Sequence, residues 1–237
     1  MCASQLAFGQ GGPPMITDDP GTPGNGHFEN NFAVTLEHRP NEWLLGTPEI
    51  DLNYGVGEHI QLNLETACVV LKRANHGAVA GVGSTEAAVK WRFLDQDKAG
   101  VYMSMYPRII FNIAQSSVRR GLSDPGTRFQ IPFQLAKEFG PLALDCEFGP
   151  LTSTVGRSEF LYGVVGGLEV SEKTSIMAEV HATSRMNFDQ QTVTLNVGWR
   201  HKISEHCIWI ASLGHEVRSP ADEQLALVGY CGVQLVY

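Results

Sequence analysis

Residues 49–65 read EIDLNYGVGEHIQLNLE, and their pattern recurs along most of the chain. Apolar and polar side chains alternate on both sides of a short turn at 55–58. The apolar positions are Ile50, Leu52, Tyr54, Ile60, Leu62 and Leu64. A period of two is the pleat of β-strands that have one apolar and one polar face. This stretch therefore predicts an antiparallel hairpin.

The same alternation continues outward from this hairpin in both directions. It predicts twelve strands, over 27–38, 49–54, 59–68, 86–93, 101–111, 129–136, 142–148, 160–170, 176–181, 193–200, 207–214 and 225–237. The stretch 207–214 is apolar on both faces, so its orientation stays open. Every second connection is short, as at 55–58 and 171–174, and most of the others are longer and more polar, as at 112–128. Short turns at one end and long loops at the other are typical of bacterial outer-membrane barrels.

Three features favour a membrane barrel over a soluble β protein, which alternation alone leaves open. The strand number is even, as it is in bacterial outer-membrane barrels. The final strand ends on an aromatic residue, a pattern read by the outer-membrane assembly machinery. Aromatic residues on the apolar face lie towards strand ends, where they fit a membrane-interface girdle; they are Tyr54, Trp91, Tyr162, Trp199 and Tyr237. The predicted fold is all-β, a closed antiparallel up-and-down transmembrane β-barrel of about 12 strands, located in the bacterial outer membrane. Its partners would be the lipid bilayer and the assembly machinery.

Composition agrees with this fold. The 237 residues carry a net charge of −8, and only 18% of them are charged. An acidic chain with no basic stripe excludes nucleic acid as a partner. No apolar run reaches the ~18 to 20 residues that a spanning helix needs. The low charge follows if the apolar face contacts lipid.

Residues 1–26 form an irregular leader rich in Pro and Gly, and residues 27–237 form the predicted barrel. The first ten residues are read either as the remnant of a signal peptide or as a loose terminus. The rest of the leader is expected either to plug the lumen or to hang in the periplasm.

Several stretches near the N-terminus resemble a known family. They are TDDPGTPG at 17–24, HFE at 27–29, IDLNYGV at 50–56 and QL at 61–62. They are similar to outer-membrane β-barrel transporters of the phenol meta-cleavage-pathway type, over about the first seventy residues. The resemblance implies a barrel linked to uptake of aromatic or other hydrophobic compounds. Fold carries over from such a resemblance better than substrate does.

Ionisable residues on the polar face are the candidates for function, because that face lines the lumen. They are Glu49, Asp51, Glu65, Lys90, Arg92, Arg108, Asp145, Glu147, Glu179, His181 and Arg200. If the chain reverses about Gly57, Asp51 lies opposite Asn63 and Glu49 opposite Glu65, with Lys90 and Arg92 placed to neutralise them. These residues form either a polar eyelet that selects solutes or an ion-pair network that fills a narrow barrel.

We expect no catalytic residue, metal or cofactor. The main functional hypothesis is a passive channel or transporter for small hydrophobic or aromatic solutes. The alternatives are an outer-membrane lipid-modifying hydrolase, for which His181, Ser184 and Asn187 are the nearest match to a catalytic group, and a structural barrel without a transport role. Two cysteines, Cys207 and Cys231, are equidistant from Ser219 and are expected to be cross-strand neighbours with free thiols, because opposed strand disulfides are strained.

Overall fold

A computed structural model describes residues 11–220 and 224–237. The strands are β1 (Phe28–Arg39), β2 (Glu42–Val56), β3 (Ile60–Arg73), β4 (Val79–Leu94), β5 (Tyr102–Met105), β6 (Arg108–Asn112), β7 (Arg128–Gln130), β8 (Phe133–Phe139), β9 (Leu142–Ser153), β10 (Glu159–Ser171), β11 (Thr174–Arg185), β12 (Thr192–Ser204), β13 (Cys207–Arg218) and β14 (Leu227–Val236). Two short helices are α1 (Gln96–Ala99) and α2 (Gln115–Arg120). Neither helix is long and apolar enough to cross a bilayer.

The strands close into one antiparallel barrel. Strands that are consecutive in the sequence pair with each other, except β5 with β6 and β7 with β8, and β1 pairs with β14 over Glu29–His38 to complete the ring. The backbone N–H of Phe28 and that of Tyr237 each donate to the other residue's carbonyl, at 2.9 and 3.0 Å. β5 and β6 lie end to end along β4, and β7 and β8 lie end to end along β9. The predicted closed barrel of about twelve strands is therefore confirmed. At two of the twelve positions around the barrel, the strand is divided into two shorter strands.

Proline explains the two splits. The sequence predicts unbroken strands over 101–111 and 129–136, but the structure interrupts them at Pro107 and Pro132. Proline has no N–H to donate to the ladder. Its carbonyl still accepts: Val89 donates to Pro107 at 3.1 Å, and Tyr106 donates to Pro132 at 3.0 Å. The sheet thus remains continuous across both breaks.

The alternating pattern separates an outer from an inner face. On each strand, the apolar residues of the alternating pattern lie on the outside of the barrel. Four of the five aromatics predicted for the interface are exposed there, and the fifth, Tyr162, is half-buried. Tyr54, Trp91, Trp199 and Tyr237 lie near the short-turn end, and Tyr162 lies towards the opposite end. The undetermined stretch at 207–214 also becomes defined, because Ile208 and Ile210 are buried inside whereas Trp209 is exposed.

The predicted pairing of Cys207 with Cys231 is wrong. Cys207 lies opposite Leu235, and Cys231 lies opposite Ala211. The register of this hairpin is centred two residues beyond Ser219, so the two thiols sit at different levels of the barrel.

Candidate functional site

The leader occupies part of the lumen. The sequence left two positions open for it, and the structure places residues 11–23 inside the barrel. Met15 packs against Val165 and Met177, and Thr17 has no exposed surface. Gly163 on β10 leaves the space that Thr17 occupies, because a Cβ added to Gly163 would collide with Thr17.

Two carboxylates on the barrel wall bind the leader backbone. The N–H groups of Ile16 and Thr17 donate to Glu179 on β11, at 3.1 and 2.5 Å. The N–H of Asp18 donates to Glu147 on β9 at 3.2 Å. Hydrogen bonds to ionised acceptors are stronger than neutral ones. Glu147 and Glu179, both candidates from the sequence, thus hold the leader against the β9–β11 side.

The cationic candidates also bind the leader. Lys90 on β4 lies 3.0 Å from the carboxylate of Asp18 and donates to the carbonyl of Asp19 at 2.6 Å. Arg108 on β6 lies 3.4 Å from Asp18 and 2.5 Å from Glu147. Arg108 is therefore shared between the leader carboxylate and a wall carboxylate, whereas Lys90 pairs with the leader carboxylate.

Arg200 on β12 binds the start of the described leader. Its guanidinium donates to the carbonyls of Gly11 and Pro13 at 2.6 and 2.8 Å. Nearby, the hydroxyl of Ser212 donates to the carbonyl of Pro14 at 2.7 Å. The leader is thus bound by side chains from β4, β6, β9, β11, β12 and β13.

The two leader aspartates respond differently to burial. Burial alone would raise the pKa of Asp18, but Lys90 and Arg108 outweigh it and hold this pKa below its ordinary value. Burial raises the pKa of Asp19 even though Lys90 lies beside it, and the charge of Asp18 adds to the rise. Asp18 is therefore the ionised anchor of the leader.

The opposite side of the lumen is acidic. Asn31, Asp51, Glu65 and Glu86 form one cross-strand row over β1–β4. Asp51 accepts three amide hydrogen bonds, from the Nδ2 atoms of Asn31, Asn53 and Asn63, at 2.8, 2.9 and 2.6 Å. Glu49 lies two residues before Asp51, on the same face of β2, and accepts a hydrogen bond from the hydroxyl of Thr35 at 3.0 Å. We call Glu49, Asp51, Glu65 and Glu86 the acidic wall.

The register of this hairpin differs from the one expected. Asp51 lies opposite Glu65 rather than Asn63, and Glu49 lies opposite Ala67 rather than Glu65, because the turn is centred on Glu58 and not on Gly57. The expected neutralisation of this patch by Lys90 and Arg92 is also wrong. Lys90 binds the leader, and Arg92 pairs with Asp95 at 3.0 Å near the short-turn end.

A cavity of about 400 Å³ separates the leader from the acidic wall. Its lining includes Val236 and Gln61 near the short-turn end and reaches Glu37 and Val228 towards the long-loop end. The cavity therefore follows most of the height of β1. The leader fills one side of the lumen and leaves this cavity along the other.

The two remaining candidates lie on the leader side. Asp145 on β9 is fully buried, and His181 on β11 lies opposite Gly163 and Thr194. Sequence reasoning missed Asp18 and Asp19 as lumen residues. The available signal was an adjacent acidic pair in the leader of a chain whose polar face carries Lys90 and several arginines.

The hydrolase alternative finds no support in the geometry. A serine nucleophile needs a base within hydrogen-bond reach. Ser184 Oγ is buried and has no hydrogen-bond partner among the residues that the structure describes, so it does not contact His181 in this way. Asn187 instead donates to Asp189 at 2.9 Å.

Comparisons with known proteins extend the fold assignment. No protein-family model matches the chain, and no curated protein matches it. The COG4313 outer membrane channel from Pseudomonas putida F1 superposes with a TM-score of 0.75 at 11% identity, covering 92% of this chain and 98% of that one. The NanC porin gives 0.64 at 9% identity, covering 86% and 98%. The CymD monoaromatic hydrocarbon channel gives 0.53 at 9%, covering 90% and 89%. At these identities the likeness shows a shared barrel fold.

Proposed function

We propose that the protein is a channel of the bacterial outer membrane through which small solutes diffuse passively. The observation that carries this proposal is the cavity beside the leader, which runs along the lumen of a closed barrel. A closed barrel leaves no unpaired strand edge in the hydrocarbon region, where each unpaired backbone group is costly. The leader narrows the lumen without filling it.

The outer face supports a position in the bilayer. Large apolar side chains such as Leu64, Val180 and Val197 are 48, 50 and 60% exposed on the barrel exterior. In a membrane these side chains would contact lipid, and aromatics near the strand ends would lie at the interface. Recognition of β14 by the assembly machinery stays a prediction.

The solute class follows from the lining. Most residues around the cavity are polar or charged, which favours solutes that form hydrogen bonds. The preference for hydrophobic or aromatic solutes that the family resemblance implies is a second candidate. It is supported by the fold shared with a monoaromatic hydrocarbon channel.

Liposome swelling tests the proposal. Vesicles containing the purified protein should swell in isotonic glutamine faster than protein-free vesicles, and a comparison with phenylalanine separates the two solute classes. Absence of swelling in every solute would contradict the channel. Phospholipid hydrolysis measured on the same vesicles, with Ser184→Ala as control, tests the lipid-modifying alternative.

A further inference from the structure

An apolar cluster lies inside the lumen at the long-loop end. Val69 and Leu71 on β3 pack against Leu122, which belongs to the loop between β6 and β7, and the three side chains are 8, 1 and 4% exposed. Three partly buried apolar side chains pack against this cluster, those of Leu44, Ala67 and Val79. Val69 lies opposite Gly46 on β2, and a Cβ added to Gly46 would meet the hydroxyl of Thr35, which lines the cavity. The cluster is therefore on the inner face of the barrel wall.

Leu122 reaches this cluster because the β6–β7 loop, residues 113–127, folds into the barrel. Arg120 in this loop donates to a backbone carbonyl of β4 at 2.7 Å. A Cβ added to Gly81 on β4 would lie 2.9 Å from Leu122 Cδ1 and 2.7 Å from Arg120 Nη2. Gly81 lies opposite Val69, so the loop crosses the inner side of β4 and contacts β3.

A glycine turns Leu122 toward the wall. Gly121 ends α2 in the left-handed region, with a φ of 74°, where a residue with a Cβ is disfavoured. The next N–H, that of Leu122, donates back to the carbonyl of Ser117 at 2.9 Å. Beyond Leu122 the loop is held again, because the N–H of Asp124 donates to the hydroxyl of Ser84 on β4 at 3.3 Å. The local structure of the loop thus keeps the Leu122 side chain in the lumen.

The cluster covers the acidic side of the cavity. Toward the long-loop end, the cavity lining on β2, β3 and β4 stops at the acidic-wall residues Glu49, Glu65 and Glu86. On β1 and β14 the lining continues to Glu37 and Val228. Glu37 lies opposite Leu44, so the cluster fills the space beside β2 and β3 at a level where the cavity is still present beside β1. The β6–β7 loop therefore roofs the part of the cavity beside the acidic wall.

We propose that the β6–β7 loop is a lid over the acidic-wall side of the cavity, and that Leu122 limits the size of the solutes that pass by holding this lid closed. This inference rests on the proposed channel function. The contact is apolar and lies at one end of the barrel, so the loop can lift without breaking the strand ladder, as loops that open locally do. A lifted lid exposes Leu122 to water and widens the long-loop end of the lumen.

Single-channel recordings in planar bilayers test the lid. Leu122→Ala removes apolar contacts that the closed lid makes and the lifted lid lacks, so the time spent in a higher-conductance, lid-open state should increase about 30-fold. Gly81→Val places a side chain where Leu122 and Arg120 lie and should lift the lid independently. Ile113→Ala is the matched control, because Ile113 belongs to the same loop and is 60% exposed, and it should leave the conductance unchanged.

Swelling of vesicles in uncharged sugars measures the size limit. Wild-type vesicles should admit glucose faster than raffinose, and Leu122→Ala and Gly81→Val should both raise the rate in raffinose relative to that in glucose. Heat-modifiable migration in gels establishes that each variant is folded. Unchanged conductance and an unchanged sugar ratio in both folded variants would overturn the lid and leave the channel function intact. A protein that conducts nothing, with or without these substitutions, would contradict the channel function itself.

Discussion

Lys90 is expected to be the main anchor of the leader. Its side chain is 4% exposed and contacts both the Asp18 carboxylate and the Asp19 carbonyl. Removing one partner of a buried pair costs about 3 to 5 kcal/mol. Because Arg108 stays 3.4 Å from Asp18, we expect the cost of Lys90→Met to lie at the lower end of this range. A loss of ~3 kcal/mol would raise the undocked population of the leader about 150-fold.

Cysteine labelling measures this population. Thr17 has no exposed surface, so a Thr17→Cys thiol reacts with a bulky maleimide only when the leader undocks. The background is a chain whose five native cysteines are replaced by serine. Lys90→Met should accelerate labelling about 150-fold relative to the same protein with Lys90.

Two controls make the result decisive. Lys98→Met changes a lysine that is 74% exposed in the short helix α1 and should leave the labelling rate unchanged. Lys90→Arg keeps the charge and should preserve most of the protection. Equal labelling rates in Lys90→Met and in the parent protein would refute the role of Lys90 as an anchor.

Three further predictions concern the lumen. Gly163→Val places a side chain where Thr17 lies, so it should displace the leader and raise single-channel conductance; an unchanged conductance would contradict the docked position. The anchoring of the leader by Asp18 depends on pH. Because the pKa of Asp18 is lowered in the docked state, Asp18 contributes fully to the stability of the docked state above the ordinary pKa of 3.8. This contribution is lost as the pH falls through the lowered pKa. The Asp19→Asn background removes the opposing effect of the raised pKa of Asp19. In this background, conductance steps caused by undocking of the leader should appear only below about pH 4. Asp18→Asn should abolish this acid transition. Asp51→Ala leaves the buried amide groups of Asn31 and Asn53 without their acceptor, while Asn63 keeps a second one, Asn53 Oδ1 at 3.0 Å. It should therefore lower the free energy of unfolding by about 2 to 6 kcal/mol, about 1 to 3 kcal/mol for each unpaired amide; the temperature of the heat-induced gel shift in detergent measures the change.

The strand pattern could be predicted because it is local. Each strand needs only its own alternation to show which residues face outward, and a register error of two residues keeps every side chain on its face. Asp51 therefore faces inward in both the expected and the observed hairpin, although its cross-strand partner changed from Asn63 to Glu65. The level of a residue in the barrel is harder to predict, because turns and bulges set it. The displaced pairing of Cys207 shows the same limit.

By itself the sequence determined the closed barrel of about twelve strands and, through the alternation within each strand, which of its side chains face the lumen. Only the tertiary structure decided which of those charges are paired. Ile16 and Glu179 are 163 residues apart, and Asp18 and Lys90 are 72 apart. No periodicity connects such positions, since a leader without regular structure takes its place from the shape and charge of the wall around it. Closure of the barrel brings Lys90, Arg108, Glu147 and Glu179 around the leader and leaves the acidic wall lining the cavity.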